Sequence, residues 1–287
     1  MTESPSLPTL IVDRGAVPSR LALHAAARSH PGRIRDGNED SVLSIRLSGL
    51  LAGSASPALG PELGFFAVAD GIGGNDRGEI ASCRTLQHLA AAVIDRVFKR
   101  LVLTDRGVDE AWMERALREC ILAANAELLV LQRANHSDMG TTLTAVLVIG
   151  GRAVVANIGD SRTYLWRDDA LAQITRDHSL VATLVAAGRL EPEAVFTHDQ
   201  KGMIYRSVGE ADELVVDTFA LSLRPGDGLL LCSDGLWEMV RDEGLAAALR
   251  AEADPQAVCD RLVDDANRAG GEDNISLLVV RAAAVAC

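Results

Sequence analysis

Four apolar runs in this sequence begin or end on a carboxylate. Glu39-Asp40 stands directly before the run at 41–47, Asp70 follows Phe65-Phe66-Ala67-Val68-Ala69, Asp234 lies just beyond the run at 229–232, and Asp273 precedes the run at 274–280. Apolar runs of this length, bounded by turn residues, read as strands. In an antiparallel pair the end of one strand lies beside the start of the next, so a fold that pairs these runs gathers their acids at one end. Carboxylates crowded together raise one another's pKa unless a cation sits between them. Oxygen-only ligation selects a hard divalent ion, Mg, Mn or Ca, over zinc, which favours His or Cys. Two such ions sharing a water generate a hydroxide near neutral pH and stabilise charge on a phosphoryl oxygen.

The remaining sequence fits strands into a larger frame. Ile80, Cys83, Leu86, Ala90, Val93 and Val97 recur at helical spacing, as do Val108, Trp112, Ala116, Ile121, Ala124, Leu128 and Leu131, which predicts two helices that each lay one stripe on a sheet. From Thr141 the period shortens. Residues 143–149 and 153–158 flank Gly150-Gly151, a two-residue hairpin turn, and Asp168-Asp169 separates 163–167 from 170–175 in the same way, predicting an antiparallel meander. Further helices are expected from Asp242 and from Asp254, the latter followed by Pro255 in the favoured first helical position. The expected class is α+β, with antiparallel sheets layered under helices. Residues 1–20 hold three prolines and little periodicity and read as a flexible tail; 48–61, rich in Gly, Ala, Ser and Pro, reads as a loop; 21–287 read as one domain.

A net charge of −12 argues against nucleic acid or an anionic membrane as the main partner and suits metal cations. The five cysteines are odd in number, widely spaced and free of C-x-x-C pairs, so neither a disulfide framework nor a zinc site is visible. No apolar stretch is long enough to span a bilayer, and residues 1–20 lack the apolar core of a secretory signal. A cytoplasmic protein is expected.

Asp70-Gly71-Ile72-Gly73-Gly74 lets the backbone turn sharply after its strand, so that a main-chain carbonyl can join the Asp70 carboxylate as a ligand. Taken alone it reads more readily as an ordinary strand-to-helix turn; a dinucleotide loop is excluded because Asp76 occupies the last glycine position of G-x-G-x-x-G. Arg35, four residues before Glu39, is placed to bind a phosphate bidentately over the acids.

Seven segments in order, Arg35-Asp-Gly-Asn-Glu39-Asp40, Ala69-Asp70-Gly-Ile-Gly-Gly74, Met139-Gly-Thr-Thr142, Asn157-Ile-Gly-Asp-Ser-Arg162, Asp177-His-Ser179, Cys232-Ser-Asp-Gly-Leu-Trp-Glu238 and Gly271-Glu-Asp-Asn-Ile-Ser276, resemble the metal-dependent protein phosphatase family (PPM, type 2C), bacterial branch. The resemblance runs from about residue 22 to 281. It implies a layered sandwich of two antiparallel β-sheets flanked by pairs of antiparallel helices, with a dimetal site at one end. By that resemblance Asp70 bridges two Mn or Mg ions, Gly71 offers its carbonyl to the first, Asp234 and Asp273 hold the second, and Glu39 and Asp40 bind metal-bound waters. Arg35 falls at the phosphate-binding arginine, and Asp138 at a residue that joins Asp234 at a third, weaker metal site. The segment between Asp177-His178 and Tyr205-Arg206-Ser207-Val208-Gly209 looks like a flap that helps select substrates, and Asp160 is assigned to structure. Ile72 departs from the many eukaryotic members that carry a histidine there, which leaves His178, His198 or metal-bound water as the source of the leaving-group proton.

The implied activity is hydrolysis of phosphoserine and phosphothreonine by direct attack of a metal-bridging water or hydroxide, on proteins phosphorylated by a cognate Ser/Thr kinase. No cysteine lies in a C-x5-R arrangement that would support covalent catalysis. Two rivals stand beside it: a non-catalytic phosphoprotein-binding module, and a sporulation-type phosphatase acting on anti-sigma-factor antagonists.

Overall fold

The computed structural model describes residues 21–48, 62–73, 77–103, 108–210 and 213–284. The expected tail at 1–20, nearly all of the expected loop at 48–61, and Gly74, Asp76 and Cys287 lie outside the described residues. The chain opens with strands β1 (Leu21–His30), β2 (Asp40–Leu47) and β3 (Leu63–Ile72). Helix α1 (Gly78–Val93) passes through a π-helical turn (Ile94–Phe98) into α2 (Lys99–Leu103), and α3 (Glu110–Asn135) follows. Then come β4 (Gly140–Thr141), β5 (Leu143–Ile149), β6 (Arg152–Ile158), β7 (Arg162–Arg167) and β8 (Ala170–Gln173), short helices α4 (Leu180–Ala186) and α5 (Ala194–Thr197), and strands β9 (Asp217–Ser222) and β10 (Gly228–Cys232). The last elements are α6 (Asp234–Trp237), α7 (Asp242–Ala251), α8 (Pro255–Ala269) and β11 (Ile275–Ala284).

These strands form two antiparallel sheets, ordered β1-β11-β10-β7-β8 and β2-β3-β5-β6-β9, with β4 added beside β3. Strand alternation explains why the apolar runs are nearly continuous. On β3, Phe66 and Val68 pack between the sheets, whereas Phe65, Ala67 and Ala69 face outward against α1 and α3. On β10, Leu229 and Leu231 face the other sheet, whereas Leu230 and Cys232 pack under α7 and α8. Each sheet is therefore buried on both faces. That is the α+β sandwich with a helix pair outside each sheet.

Both glycine and aspartate turns form. Gly150 has φ +63°, and Asp168 and Asp169 have φ +50° and +61°, the left-handed pair that a two-residue hairpin requires. The expected meander is corrected, however: the β5–β6 hairpin belongs to one sheet and β7–β8 to the other, because the chain crosses the sandwich at Gly159, φ +96°. A second correction concerns α1, whose Ile80 is exposed while Ala81, Leu86, Leu89 and Val93 form the buried stripe. Asp254 caps α8 as expected, its carboxylate accepting from Ala257 N–H at 3.2 Å. Among the described residues no helix is long and apolar enough to cross a membrane.

Candidate metal centre

The register brings the acids together. Asp40, at the start of β2, is the cross-strand partner of Asp70 on β3, and β10 runs antiparallel between β11 and β7, which carries Asp234 to the end where β11 begins after Asp273. A cleft of about 370 Å³ opens there; Arg35, Glu39, Asp70, Gly71, Asp234 and Asp273 line it.

Neighbouring groups hold these residues in position. Asp70 donates its N–H to Thr142 Oγ1 at 3.0 Å, and its carbonyl accepts from Thr142 N–H at 2.8 Å and Thr141 Oγ1 at 2.7 Å. Ser233 Oγ donates to Asp40 Oδ2 at 2.7 Å and accepts from Ser276 N–H at 3.0 Å, joining β2 to β10 and β11. Asn274 holds the β1–β2 loop: Oδ1 accepts from Glu39 N–H at 2.7 Å, and Nδ2 donates to the carbonyls of Pro31 at 3.0 Å and Gly37 at 2.8 Å. Gly71 must be glycine for a spatial reason, since a Cβ there would lie 2.2 Å from the Gly78 carbonyl oxygen and 2.6 Å from that of Glu39. Sequence reasoning gave no role to Thr142, Ser233 or Asn274, although Ser233 adjoins Asp234, Asn274 adjoins Asp273, and Thr142 closes the Met139-Gly-Thr-Thr142 segment.

The electrostatics are those of charges kept together against their own repulsion. Burial, then the charges of Asp40, Asp234, Asp160 and Asp273, hold Asp70 well above the usual carboxylate range. Burial pushes Asp40 up to about 8, against hydrogen bonds from Ser233 and Ser276 and with the charges of Asp234 and Asp273 adding to it. Asp234, within hydrogen-bonding reach of Asp70, is raised to about 6 by burial and by the charges of Glu238 and Asp273. Asp160, assigned to structure from its turn motif, is buried and raised by that burial and by Asp234 and Asp177, so it belongs to the same acidic cluster.

Whether these residues fit a divalent cation turns on their oxygens. Asp40 Oδ1 and Asp234 Oδ1 are buried without a hydrogen-bond partner, which is costly for carboxylates and favourable for cation ligands. Among the described residues, no three His, Cys, Asp or Glu side chains already converge as a closed ligand set. Both Asp273 oxygens are engaged: Oδ2 takes Arg35 Nη2 at 2.6 Å and Oδ1 takes Asn274 N–H at 2.8 Å. Oxygen-only donors, unpaired lone pairs and mutual repulsion fit a hard cation, with Asp273 turned from Arg35 as the adjustment required.

Other predicted residues stand apart. Asp138 is exposed and does not line the cleft. His178 is buried and structural: its Nδ1 accepts from Gly159 N–H at 3.0 Å, and its Nε2 lies 3.3 Å from Asp217 Oδ2. His198 Nδ1 accepts from Gln200 N–H at 3.0 Å within its own loop. Arg162 joins the predicted flap to the cluster, because its guanidinium pairs with Asp177 at 2.6 Å and stacks 3.5 Å over Trp237, whose Nε1 donates to the Asp160 carbonyl at 3.0 Å.

Known proteins bear on this geometry. The profile of a family described as protein phosphatase 2C matches residues 59–256. The serine/threonine phosphatase Stp of Listeria innocua is 33% identical over 262 residues, which cover 90% of this chain and 95% of that protein. The serine/threonine protein phosphatase PstP of Mycobacterium tuberculosis is 37% identical over 261 residues, 90% of this chain and 45% of the longer relative. A crystal structure of the PstP catalytic domain in complex with two manganese ions superposes with a TM-score of 0.73 at 35% identity, covering 92% of this chain and 99% of that one.

Proposed function

The chain belongs to the protein phosphatase 2C family and is a phosphoprotein phosphatase, and we propose that it hydrolyses phosphoserine and phosphothreonine with the help of two Mn or Mg ions. The observation that carries this reading is the meeting of Asp40, Asp70, Asp160 and Asp234 at one end of the sandwich, with two buried carboxylate oxygens unpaired. Asp70 and the Gly71 carbonyl, with Asp234 and Asp273, would hold the ions, and Glu39 and Asp40 would hold waters around them. When bound, the ions supply an activated water as nucleophile and neutralise charge on the phosphoryl oxygens. A third, weaker site at Asp138 and Asp234 belongs to the proposal and requires the exposed Asp138 to turn inward.

The protein's own groups do the rest. Arg35, which donates to Asp273 through Nη2 alone, exchanges that carboxylate for the phosphate, which a planar guanidinium can meet with two parallel N–H bonds. Ser233 and Asn274 hold Asp40 and Glu39 so that no ordering is needed at the moment of reaction. No imidazole lies at the end of β3, where Ile72 stands, so the leaving oxygen takes its proton from water in the cleft. The substrates in this reading are cytoplasmic proteins phosphorylated by a cognate Ser/Thr kinase.

Hydrolysis of a phosphothreonine peptide and of p-nitrophenyl phosphate, with Mn, with Mg and with EDTA, tests the proposal. Turnover is expected with either ion and none in EDTA. Undiminished turnover in EDTA, or a covalent phosphoenzyme trapped by rapid quench, would overturn it.

A further inference from the structure

A second cavity, of about 680 Å³, lies apart from the metal cleft: it is bounded by parts of the segment from Gln173 to Arg206 together with Arg162, Asp217 and Asp242, and no residue lines both. Its volume is that of a small-molecule site, and its lining is more apolar than polar, as in such sites generally. The apolar part comes from Ala182, Val185 and Ala186 on α4 and from Pro192, Val195 and Phe196 on and just before α5. Two contacts fix that wall. Ser179 Oγ accepts from Ala182 N–H at 3.2 Å at the start of α4, and the Phe196 ring meets Trp237 edge-on with centroids 5.9 Å apart.

The charges that line the cavity are accounted for within the fold, with one exception. Arg162 pairs with Asp177 at 2.6 Å, both side chains almost wholly buried, and Arg206 Nη1 donates to Asp217 Oδ1 at 2.8 Å. His178 is a neutral imidazole, because burial lowers its pKa below the usual value and its Nδ1 already accepts from Gly159 N–H. Asp242 is the first residue of α7, where the positive end of the helix dipole stabilises a carboxylate. Arg176 is left. It is exposed, and among the described residues its guanidinium has neither an ion pair nor a hydrogen bond. Its backbone is nevertheless pinned, since its carbonyl accepts from Asn157 Nδ2 at 3.2 Å and the nearby His178 N–H donates to the Gly159 carbonyl at 2.9 Å. An exposed arginine alone is ordinary. A pinned one that lines a mainly apolar cavity, where every other charge is matched, gives that cavity a net positive end.

We propose that this cavity binds a small amphiphilic anion, its apolar body against α4 and α5 and its single carboxylate, sulfonate or phosphate on Arg176. The site stands on the cavity and its charges and does not depend on the phosphatase reading. Burying the body removes apolar surface of both partners from water, and the planar guanidinium supplies charge-assisted hydrogen bonds to the head. A cationic ligand would instead have to draw Asp242 from the end of its helix and would meet Arg176 as a like charge.

Two fluorescent probes test this on the intact chain with Mn present: 1-anilinonaphthalene-8-sulfonate, and N-phenyl-1-naphthylamine, the same apolar body without the sulfonate. Wild type is expected to bind a single molecule of the sulfonate per chain, at least about fivefold more tightly than the neutral probe. Arg176→Ala, a surface change that leaves the melting temperature unaltered, should weaken the sulfonate by about the same factor and leave the neutral probe as it was. Val185→Asp, which puts a carboxylate on the apolar wall, should weaken both probes. Absence of saturable binding to wild type, or sulfonate binding indifferent to Arg176→Ala or to Val185→Asp, would overturn the site. Equal affinity of wild type for the two probes would also overturn it, leaving a crevice for an uncharged apolar partner.

Discussion

Asp70→Asn should lower metal-dependent turnover at least about 100-fold while making the cation-free protein more stable above pH 7, by about 1 kcal/mol or more. Both effects have one origin. The Asp70 carboxylate is held among Asp40, Asp234, Asp160 and Asp273 and is raised well above its ordinary range by burial and by their charges. An amide of the same shape keeps the backbone bonds to Thr141 and Thr142 but brings no charge into that crowd. Without a cation the substitution therefore relieves repulsion. With a cation it would remove the carboxylate proposed as the central ligand, and loss of even an outer-shell partner of a bound metal typically costs 10–100-fold. Urea unfolding in EDTA beside peptide hydrolysis in Mn measures the two together. A variant destabilised in EDTA, or one that retains turnover, would mean that Asp70 is an ordinary structural acid.

The second large effect is a reversal of pH dependence by metal. In the absence of cations Asp40 and Asp234 titrate near 8 and 6 in the folded protein, and Asp70 and Asp160 are also raised, whereas unfolded aspartates titrate near 4. Between about pH 4 and pH 8 the folded state therefore holds more protons than the unfolded one, and stability falls as pH rises. The fall ends once the folded carboxylates have lost their protons. A divalent ion held by these carboxylates would bind only the deprotonated, folded cluster, so its contribution would grow over the same window. At a free concentration about 1,000 times its dissociation constant it adds roughly 4 kcal/mol, about 10 °C in Tm for a domain of this size. Thermal melts from pH 5 to 8 should show Tm declining in EDTA and the Mn-induced rise largest at the alkaline end. A rise independent of pH would place the ion away from these carboxylates.

Much of this site could be read before the fold was known, because strand ends are set by local pattern. Asp40, Asp70, Asp234 and Asp273 each adjoin an apolar run, and antiparallel pairing does bring them to one end, with Asp40 directly opposite Asp70. What could not be read locally was long-range. Nothing in residues 143–175 tells that β5–β6 and β7–β8 join different sheets, since a hairpin has the same local chemistry in either. β1, with its Leu-Ala-Leu-His-Ala-Ala-Ala sequence, carries residues of low strand propensity and is held by β11 alone in its sheet. β9 is an edge strand with mostly half-buried residues and no clean alternation. Asp160 sits in a Gly-Asp-Ser-Arg turn, where aspartate is common for turn reasons, and only the packing of Trp237 over that turn brings it to Asp234. Arg35 lines the same cleft as the acids, and its bond to Asp273 follows from the loop's anchorage at Asn274, a contact across more than two hundred residues that no local pattern reveals.

The claim on which everything else depends is that these strand-end carboxylates jointly hold divalent cations, and anomalous diffraction from crystals of the protein grown with Mn measures it most directly. The account predicts two manganese peaks bounded by Asp70, Asp234 and Asp273, with Arg35 released from Asp273. Manganese found only elsewhere, or an Arg35–Asp273 pair unchanged with no peak in the cleft, would contradict it.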